Sequence, residues 1–487
     1  AVVFIAVSTR LLTLREMAVF ALYNSMCALQ AVICSMGLLT TATRNLPALM
    51  GRDDEDGAAR LLRSAMTINA MISAVVASVL AVAARPLSLY FLGDPSYAPA
   101  LRWAALAVFA WNLFEANQIF LVSLQKFADY ARATVTCAVA QRILSLGLFL
   151  ALRKTDYALV GYLAGFAAGS VIGLVRGFRP VRELASRPVG FEPLGALLRY
   201  SLPFYGDGYL RYLYMQADQL IIAVFLPPEV LALYFVAKRF IQYYQQAVAS
   251  VIDPLLAKVG ELRARGSVAV EGSLRSASRY FELIFLPMAA GTAAMSALLL
   301  DAAGGERYLG ATPVLALLSL SVALYAGFNL VTGYVYMLGV PSDRLRYNMV
   351  TGISQAVLMA LLLGLATLLG APPLMAATGI ALARLGSLLT GLLFAHRQLH
   401  RYITPAYDAA TLPRVLAASG LLFAAAGIPQ LFFYGPALAT ACGAAGAGLF
   451  VLAIRPAIRG EDFDLLAEVL HGRMAWMQRL ARRVLGG

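Results

Sequence analysis

The chain has 487 residues, 60% of them apolar and 13% charged, with a mean hydropathy of +0.74. That balance excludes an ordinary soluble domain. A formal charge of +13 could suit nucleic acid, but the basic residues sit between long apolar runs and not on a separate basic segment, so no nucleic-acid partner is expected.

Apolar runs of about 20 residues, enough to cross ~30 Å of hydrocarbon, fall at 17–40, 64–84, 101–124, 131–152, 157–178, 199–226, 229–256, 279–300, 312–339, 347–369, 373–395, 412–434 and 436–455. Ala1–Val7 reads as the end of a further span, so the expected fold is an all-α polytopic membrane bundle of fourteen helices, the first truncated. Numbering the loops alternately places Arg52, Arg60, Lys126, Arg176, Arg187, Lys258, Arg275, Arg279, Arg346, Arg397 and the basic tail on one side. The other side holds far fewer cations, among them Arg10, Arg15, Arg85, Arg102 and Arg307. Positive charge collects on the cytoplasmic face, so both termini are placed there, in a cytoplasmic (inner) membrane.

The segment 179–198 carries Pro180, Pro188 and Pro193 and reads as a cytoplasmic linker between a six-helix lobe (1–178) and a second (199–397). The halves echo each other. Gly93, Tyr97 and Ala100 recur as Gly304, Tyr308 and Ala311, Gln118 falls on Asn329, Arg132 and Gln141 on Arg346 and Gln355, and Gly169-Ser170 on Gly386-Ser387. An even number of spans per half implies lobes of the same orientation, with a site at their interface. Two extra spans (411–455) follow, and then an amphipathic stripe over 461–485 that reads as a helix lying on the anionic leaflet.

Charges inside spans carry the functional argument, since each costs about 2.5–3.5 kcal/mol at a bilayer centre. Asp207, Arg211, Tyr214 and Asp218 share one helical face of the seventh span; Arg239, Gln242, Gln246, Ser250 and Asp253 share one of the eighth, beside Lys238. Glu115, Gln141, Arg142, Asn329 and Arg384 add polar positions elsewhere. The neutral ones serve equally as helix–helix hydrogen bonds. Cations exceed anions, which favours an anionic substrate group, and guanidinium forks suit phosphate. The carboxylates Asp207, Asp218, Asp253 and Glu115 read either as partners of those cations, Asp218 with Arg211 first, or as sites for a coupling Na⁺ or H⁺. Arg10 and Arg44 lie nearer span ends, where snorkelling is the common explanation.

Other chemistry is not expected. Cys27, Cys34, Cys137 and Cys442 lie apart in apolar spans and read as free thiols, and His396, His400 and His471 are expected to form no ligand set, so neither a metal nor another cofactor is implied. Arg52-Asp53-Asp54-Glu55-Asp56-Gly57 lacks calcium-loop spacing and reads as a solvated loop. No Walker, zincin or nucleophile-elbow motif is present, and the short outer loops leave no room for the outer domain of a membrane glycosyltransferase or polymerase. An enzyme is not expected.

With those residues laid out, the chain resembles the Wzx-type polysaccharide transporters of the MATE-like flippase superfamily. The resemblance is carried by Thr9-Arg10-Leu11-Leu12 with Glu16 and Phe20, by Gly37-Leu38 with Arg44, and by Ser201-Leu202-Pro203 with Asp218. Glu229 with Tyr234-Phe235-Val236-Ala237-Lys238-Arg239 and the repeated Gly-x3-Tyr-x2-Ala element complete it. The resemblance implies two lobes alternating between inward- and outward-open states and a polyprenyl-(pyro)phosphate-linked glycan as substrate, its sugars in a cationic cavity and its tail in lipid. It places Arg10, Arg44 and Arg239 at or near that cavity and assigns the two extra spans to the lipid tail. The lipid II branch carries an Arg-Asp pair at the end of its first span, for which the nearest equivalent here is Arg15-Glu16. Membrane lipids and polysaccharide polymerases or other assembly proteins are the implied partners. Rival readings are a lipid II-type flippase, a cation-coupled multidrug exporter, and a non-transporting scaffold.

Overall fold

The computed structural model describes residues 2–454, except 36, 51, 154, 156, 264–266, 406–410 and 433–434. The amphipathic stripe at 461–485 lies outside the described residues. Every regular element described is helical: α1 (Val2–Leu11), α2 (Leu14–Ser35), α3 (Leu38–Met50), α4 (Glu55–Val82), α5 (Ala84–Leu92), α6 (Ala98–Ser123), α7 (Phe127–Ala151), α8 (Ala158–Ala185) and α9 (Leu194–Met215). There follow α10 (Ala217–Phe225), α11 (Pro228–Arg263), α12 (Ser267–Ala294), α13 (Ser296–Gly304), α14 (Thr312–Leu338), α15 (Pro341–Leu368), α16 (Pro373–Leu399), α17 (Thr411–Phe432) and α18 (Pro436–Ile454). Among the described residues, ten helices are long and apolar enough to cross a membrane, or eleven if the bent pair α12–α13 is one span.

Local chemistry sets the helix ends. Thr13 and Glu16 form a capping box before α2: the Thr13 amide donates to Glu16 Oε2 (2.7 Å) and the Glu16 amide to Thr13 Oγ1 (3.3 Å). Asp54 caps α4 by accepting from the Gly57 amide at 2.8 Å, with Glu55 and Asp56 in the first turn to suit the helix dipole. The acidic run read as a solvated loop is therefore partly the start of a helix. Proline opens α11, α15, α16 and α18, where its missing N–H costs nothing.

Three expected spans are interrupted, and a further break falls at the end of a fourth. The run 17–40 is divided between α2 and α3 at Gly37, whose φ of +74° is left-handed. The chain breaks again at Ala83 between α4 and α5, at Gln216 (φ −134°) between α9 and α10, and at Met295, where α12 and α13 bend by 67°. Hydropathy averaged over a span does not register such breaks, because a single residue at the break, even the polar Gln216, changes the mean of some 20 residues little.

The chain divides into two compact units, Ala1–Phe235 and Val236–Gly487, so the dividing point falls inside α11 and the segment 179–198 lies within the first. Unit 1 is built on α2, α4, α6 and α8, with α7 packed along α8, and α9 and α10 against α2. Gly161, Gly165, Gly169, Gly173 and Gly177 present one bare face of α8 to α7. A Cβ on Gly165 would stand 2.3 Å from the Ser145 backbone N, and on Gly169 2.4 Å from that of Gln141. Small residues at this spacing let helix backbones meet, the main source of packing energy where lipid competes on equal terms for apolar side chains. An aromatic cluster of Phe20, Tyr23, Tyr162, Phe166 and Phe235 fills the core beside α2. The linker folds back on α4: Arg187 pairs with Glu55 and Asp56, Arg63 donates to the Val189 carbonyl (2.9 Å), and the Glu192 amide donates to Ser64 Oγ (2.8 Å).

Unit 2 centres on α14, packed by α12, α15 and α16, with α17 and α18 paired and laid on α12. Val415, Ala418 and Ile454 bury against Leu283 and Leu286. A Cβ on Gly443 of α18 would touch Met295 at 2.8 Å, so the added helix pair packs at the α12–α13 bend.

Candidate functional site

The interior polar residues form separate groups within each unit. In unit 1, α2, α4 and α6 share a buried network. Asn112 donates to Asn69 Oδ1 (3.1 Å) and to Ser73 Oγ, Asn69 donates to the Cys34 carbonyl (3.2 Å), and Gln30 donates to the Ser73 carbonyl (3.3 Å).

The seventh-span stripe does not survive as one face. The break at Gln216 separates Asp218 from Asp207, Arg211 and Tyr214. Asp218 is fully buried, its Oδ2 accepting from Tyr234 Oη at 2.7 Å and its Oδ1 from the Gln219 amide at 2.9 Å. Arg211 is exposed and makes no hydrogen bond or ion pair among the described residues. The expected Arg211–Asp218 pairing is thus corrected: the chain breaks at Gln216, so the two stand on different helices, Arg211 exposed on α9 and Asp218 fully buried on α10. Asp207 and Tyr214 are buried.

On α11, Lys238 is 2% exposed, Arg239 is half-buried and donates to Gln242 Oε1 at 2.8 Å, and Gln246 is exposed. Arg384 of α16, at 1% exposure, is the largest fully buried side chain described. The sequence reading missed Arg279, assigned to a loop; α12 begins at Ser267 and buries it to 4% exposure, its guanidinium 5.9 Å from the Tyr280 ring. Glu282, one turn on, is likewise a missed charge inside α12. Both were legible as an Arg-x2-Glu spacing continuous with an apolar run.

Gln141 donates to Ser170 Oγ at 2.9 Å. Arg142 turns back to the Ala138 carbonyl (2.8 Å) and lies 5.9 Å from the Phe4 ring. Asn329 donates to the Tyr325 carbonyl of its own helix (2.8 Å), and Glu115 is half-buried on α6. Arg10 is exposed in the last turn of α1. The side chains of Arg44, Ser250 and Asp253 lie outside the described residues. Arg15 and Glu16 are both engaged elsewhere, Arg15 with Glu229 in the first turn of α11 at 2.9 Å and Glu16 in the α2 cap.

The internal repeat has a three-dimensional counterpart. Gln141 bonds Ser170 between α7 and α8, and Ser387 donates to Gln355 Oε1 between α15 and α16. These are the residues the sequence aligned. Tyr97 and Tyr308 both lie in 3-10 turns, before α6 and α14. Gly93 is left-handed (φ +69°); in the second half that role belongs to Gly305 (φ +79°), with the aligned Gly304 still helical.

The four cysteines are free thiols. Among the described residues, no group of three or more His, Cys, Asp and Glu side chains is placed to hold a metal ion. His396 and His400, expected to form no ligand set, are nevertheless brought together, their Nε2 atoms 3.1 Å apart.

No curated protein matches the chain in sequence. In structure it is similar to the lipid II flippase MurJ in an inward closed conformation (TM-score 0.62, 12% identity, covering 94% of this chain and 100% of that one). It is similar to an inward-facing multidrug resistance MATE family transporter of the MOP superfamily (TM-score 0.65, 13% identity, 82% and 93%). It is also similar to a MOP superfamily transporter from Pyrococcus furiosus, described as having a binding pocket of reverse polarity (TM-score 0.53, 13% identity, 82% and 95%). These likenesses establish the fold. Residues 7–313 match the family described as polysaccharide biosynthesis protein. The resemblance to Wzx-type polysaccharide transporters is borne out: the chain belongs to the polysaccharide biosynthesis protein family and has the fold of the MOP superfamily transporters.

Proposed function

We propose that the chain is a flippase that moves a polyprenyl-(pyro)phosphate-linked oligosaccharide across the cytoplasmic membrane by alternating access, for assembly of a surface glycan. The observation that supports this most is the burial of Lys238, Arg279 and Arg384, each at most 4% exposed, in the helices of unit 2. Cations at such depth are costly, and a substrate phosphate that exchanges with their resting partners would explain their retention. Arg211 and Arg239 are assigned to the headgroup as well, with Gln242, Asn329 and Gln141 in supporting roles. A multidrug exporter for cationic compounds would place acidic and aromatic groups where these cations lie.

Asp218, saturated by Tyr234 and the Gln219 amide, is read as a structural anion. Asp207 and Glu115 are the carboxylates assigned to a coupling H⁺ or Na⁺. Arg15 and Glu16 are committed to the helix ends, which speaks against their serving a lipid II headgroup.

Arg211→Ala and Arg239→Ala are each expected to lower surface glycan export at least tenfold, with lipid-linked sugar trapped on the cytoplasmic side and protein levels unchanged. Normal export in both variants would overturn the assigned role. Loss of export without accumulation of the trapped intermediate would favour a non-transporting scaffold.

A further inference from the structure

The C-terminal end of α16 carries two imidazoles at i and i+4, His396 in the last turn and His400 at the cap, a spacing that places them on one face. His396 and His400 approach with Nε2 atoms 3.1 Å apart, ring centroids 4.7 Å apart and planes at 84°. Two Zn–N bonds of about 2.0–2.1 Å spanning that gap enclose an angle of about 100° at the metal, between tetrahedral and octahedral values. His400 is exposed and His396 half-buried, so an ion can reach both. In the absence of metal the same separation serves a ring-to-ring hydrogen bond, one Nε2 donating and the other accepting. On metal binding both rings carry their proton on Nδ1.

We infer that His396 and His400 form a bidentate site for a borderline divalent transition-metal ion such as Zn²⁺, with water in the remaining positions. Imidazole suits such ions and not Mg²⁺ or Ca²⁺. The neighbouring Arg397 and Arg401 oppose a cation, so the site is weaker than a closed structural one. Its consequence lies in the chain that leaves α16. Tyr402 donates from Oη to Asp343 Oδ2 at the start of α15, and the Thr404 amide donates to Glu271 Oε1 (3.2 Å) near the start of α12. An ion across His396 and His400 would fix the last turn of α16 and with it the exit segment that ties α16 to α12 and α15.

The test is calorimetric titration of ZnCl₂ into the full chain in detergent micelles, purified on an affinity tag without histidine. Saturation at one ion per chain is expected, with a Kd on the order of 10 µM. His396→Ala and His400→Ala should each weaken binding at least tenfold, whereas His471→Ala should leave it unchanged. Combining His400→Ala with Arg401→His keeps the histidine count but moves the pair to i, i+5, and binding should not return. Zn²⁺ should raise the thermal midpoint of the wild type by a few degrees and of neither single variant. Retained affinity in both single variants, or no saturable binding by the wild type at millimolar Zn²⁺, would overturn the site.

Discussion

At the residue scale, Asp218 shows how a charge in a span can be structural. Both carboxylate oxygens are satisfied, one by Tyr234 Oη at 2.7 Å and one by a backbone amide, and both Asp218 and Tyr234 have no exposed surface. Tyr234→Phe removes one hydrogen bond from a buried anion, a loss of about 1.5–3 kcal/mol. It should lower the midpoint of thermal unfolding in detergent by several degrees; an unchanged midpoint would mean that Asp218 is satisfied without it. The sequence made Asp218 conspicuous but offered no way to name its partner, since Tyr234 lies on another helix and its place among the segments that carry the family resemblance says nothing of what it touches. Arg211, at the i−7 position, looked the better partner by helical spacing alone.

At the element scale, glycines in two neighbouring helices are expected to behave oppositely. Gly165 of α8 lies against the Ser145 backbone, where a Cβ would stand 2.3 Å from N, whereas nothing lies within 4 Å of a Cβ on Gly147 of α7. Gly165→Ala should force the helices apart at a cost of about 1–3 kcal/mol, and Gly147→Ala should be neutral or stabilise by up to about 1 kcal/mol through helix propensity. Comparing folded yield and thermal midpoint of the two variants checks this. Gly37 combines both constraints: it is left-handed, and a Cβ there would come within 2.2 Å of the Ser201 carbonyl oxygen. Thr41 bonds Ser201 beside it at 2.9 Å. Two segments that carried the family resemblance, Gly37-Leu38 and Ser201-Leu202-Pro203, are thus the two sides of one helix crossing.

At the scale of the whole molecule, the distribution of Lys and Arg assigns a side to each loop. Ser96, in the turn before α6, and Ser186, after α8, are exposed and fall on opposite sides by that rule. In a variant lacking the four native cysteines, Ser96→Cys should react with a membrane-impermeant maleimide in intact cells, and Ser186→Cys only after permeabilisation. The reverse pattern would invert the topology and place the His396–His400 pair outside. The repeat sharpens the same frame: Gln141–Ser170 and Gln355–Ser387 close equivalent helix pairs in the two units. Removing Gln355, as Gln355→Leu, should cost about 0.6–2 kcal/mol, the range for interhelical hydrogen bonds in membranes, read as a lower thermal midpoint.

The sequence by itself determined the bundle of helices, the internal duplication and the family, and it set the expected sidedness of the loops, because hydropathy, charge asymmetry and repeated spacing are properties of segments and need no partner. Only the tertiary structure decided where spans break, that Arg279 is buried, that Asp218 answers Tyr234 and not Arg211, and that His396 meets His400. Breaks at Gln216 and Met295 rotate the faces that a continuous 100° periodicity would align, and contacts between helices depend on that rotation. The physical reason is that a helix's apolarity is additive along the chain, whereas the partner of a buried polar group is a matter of position in space.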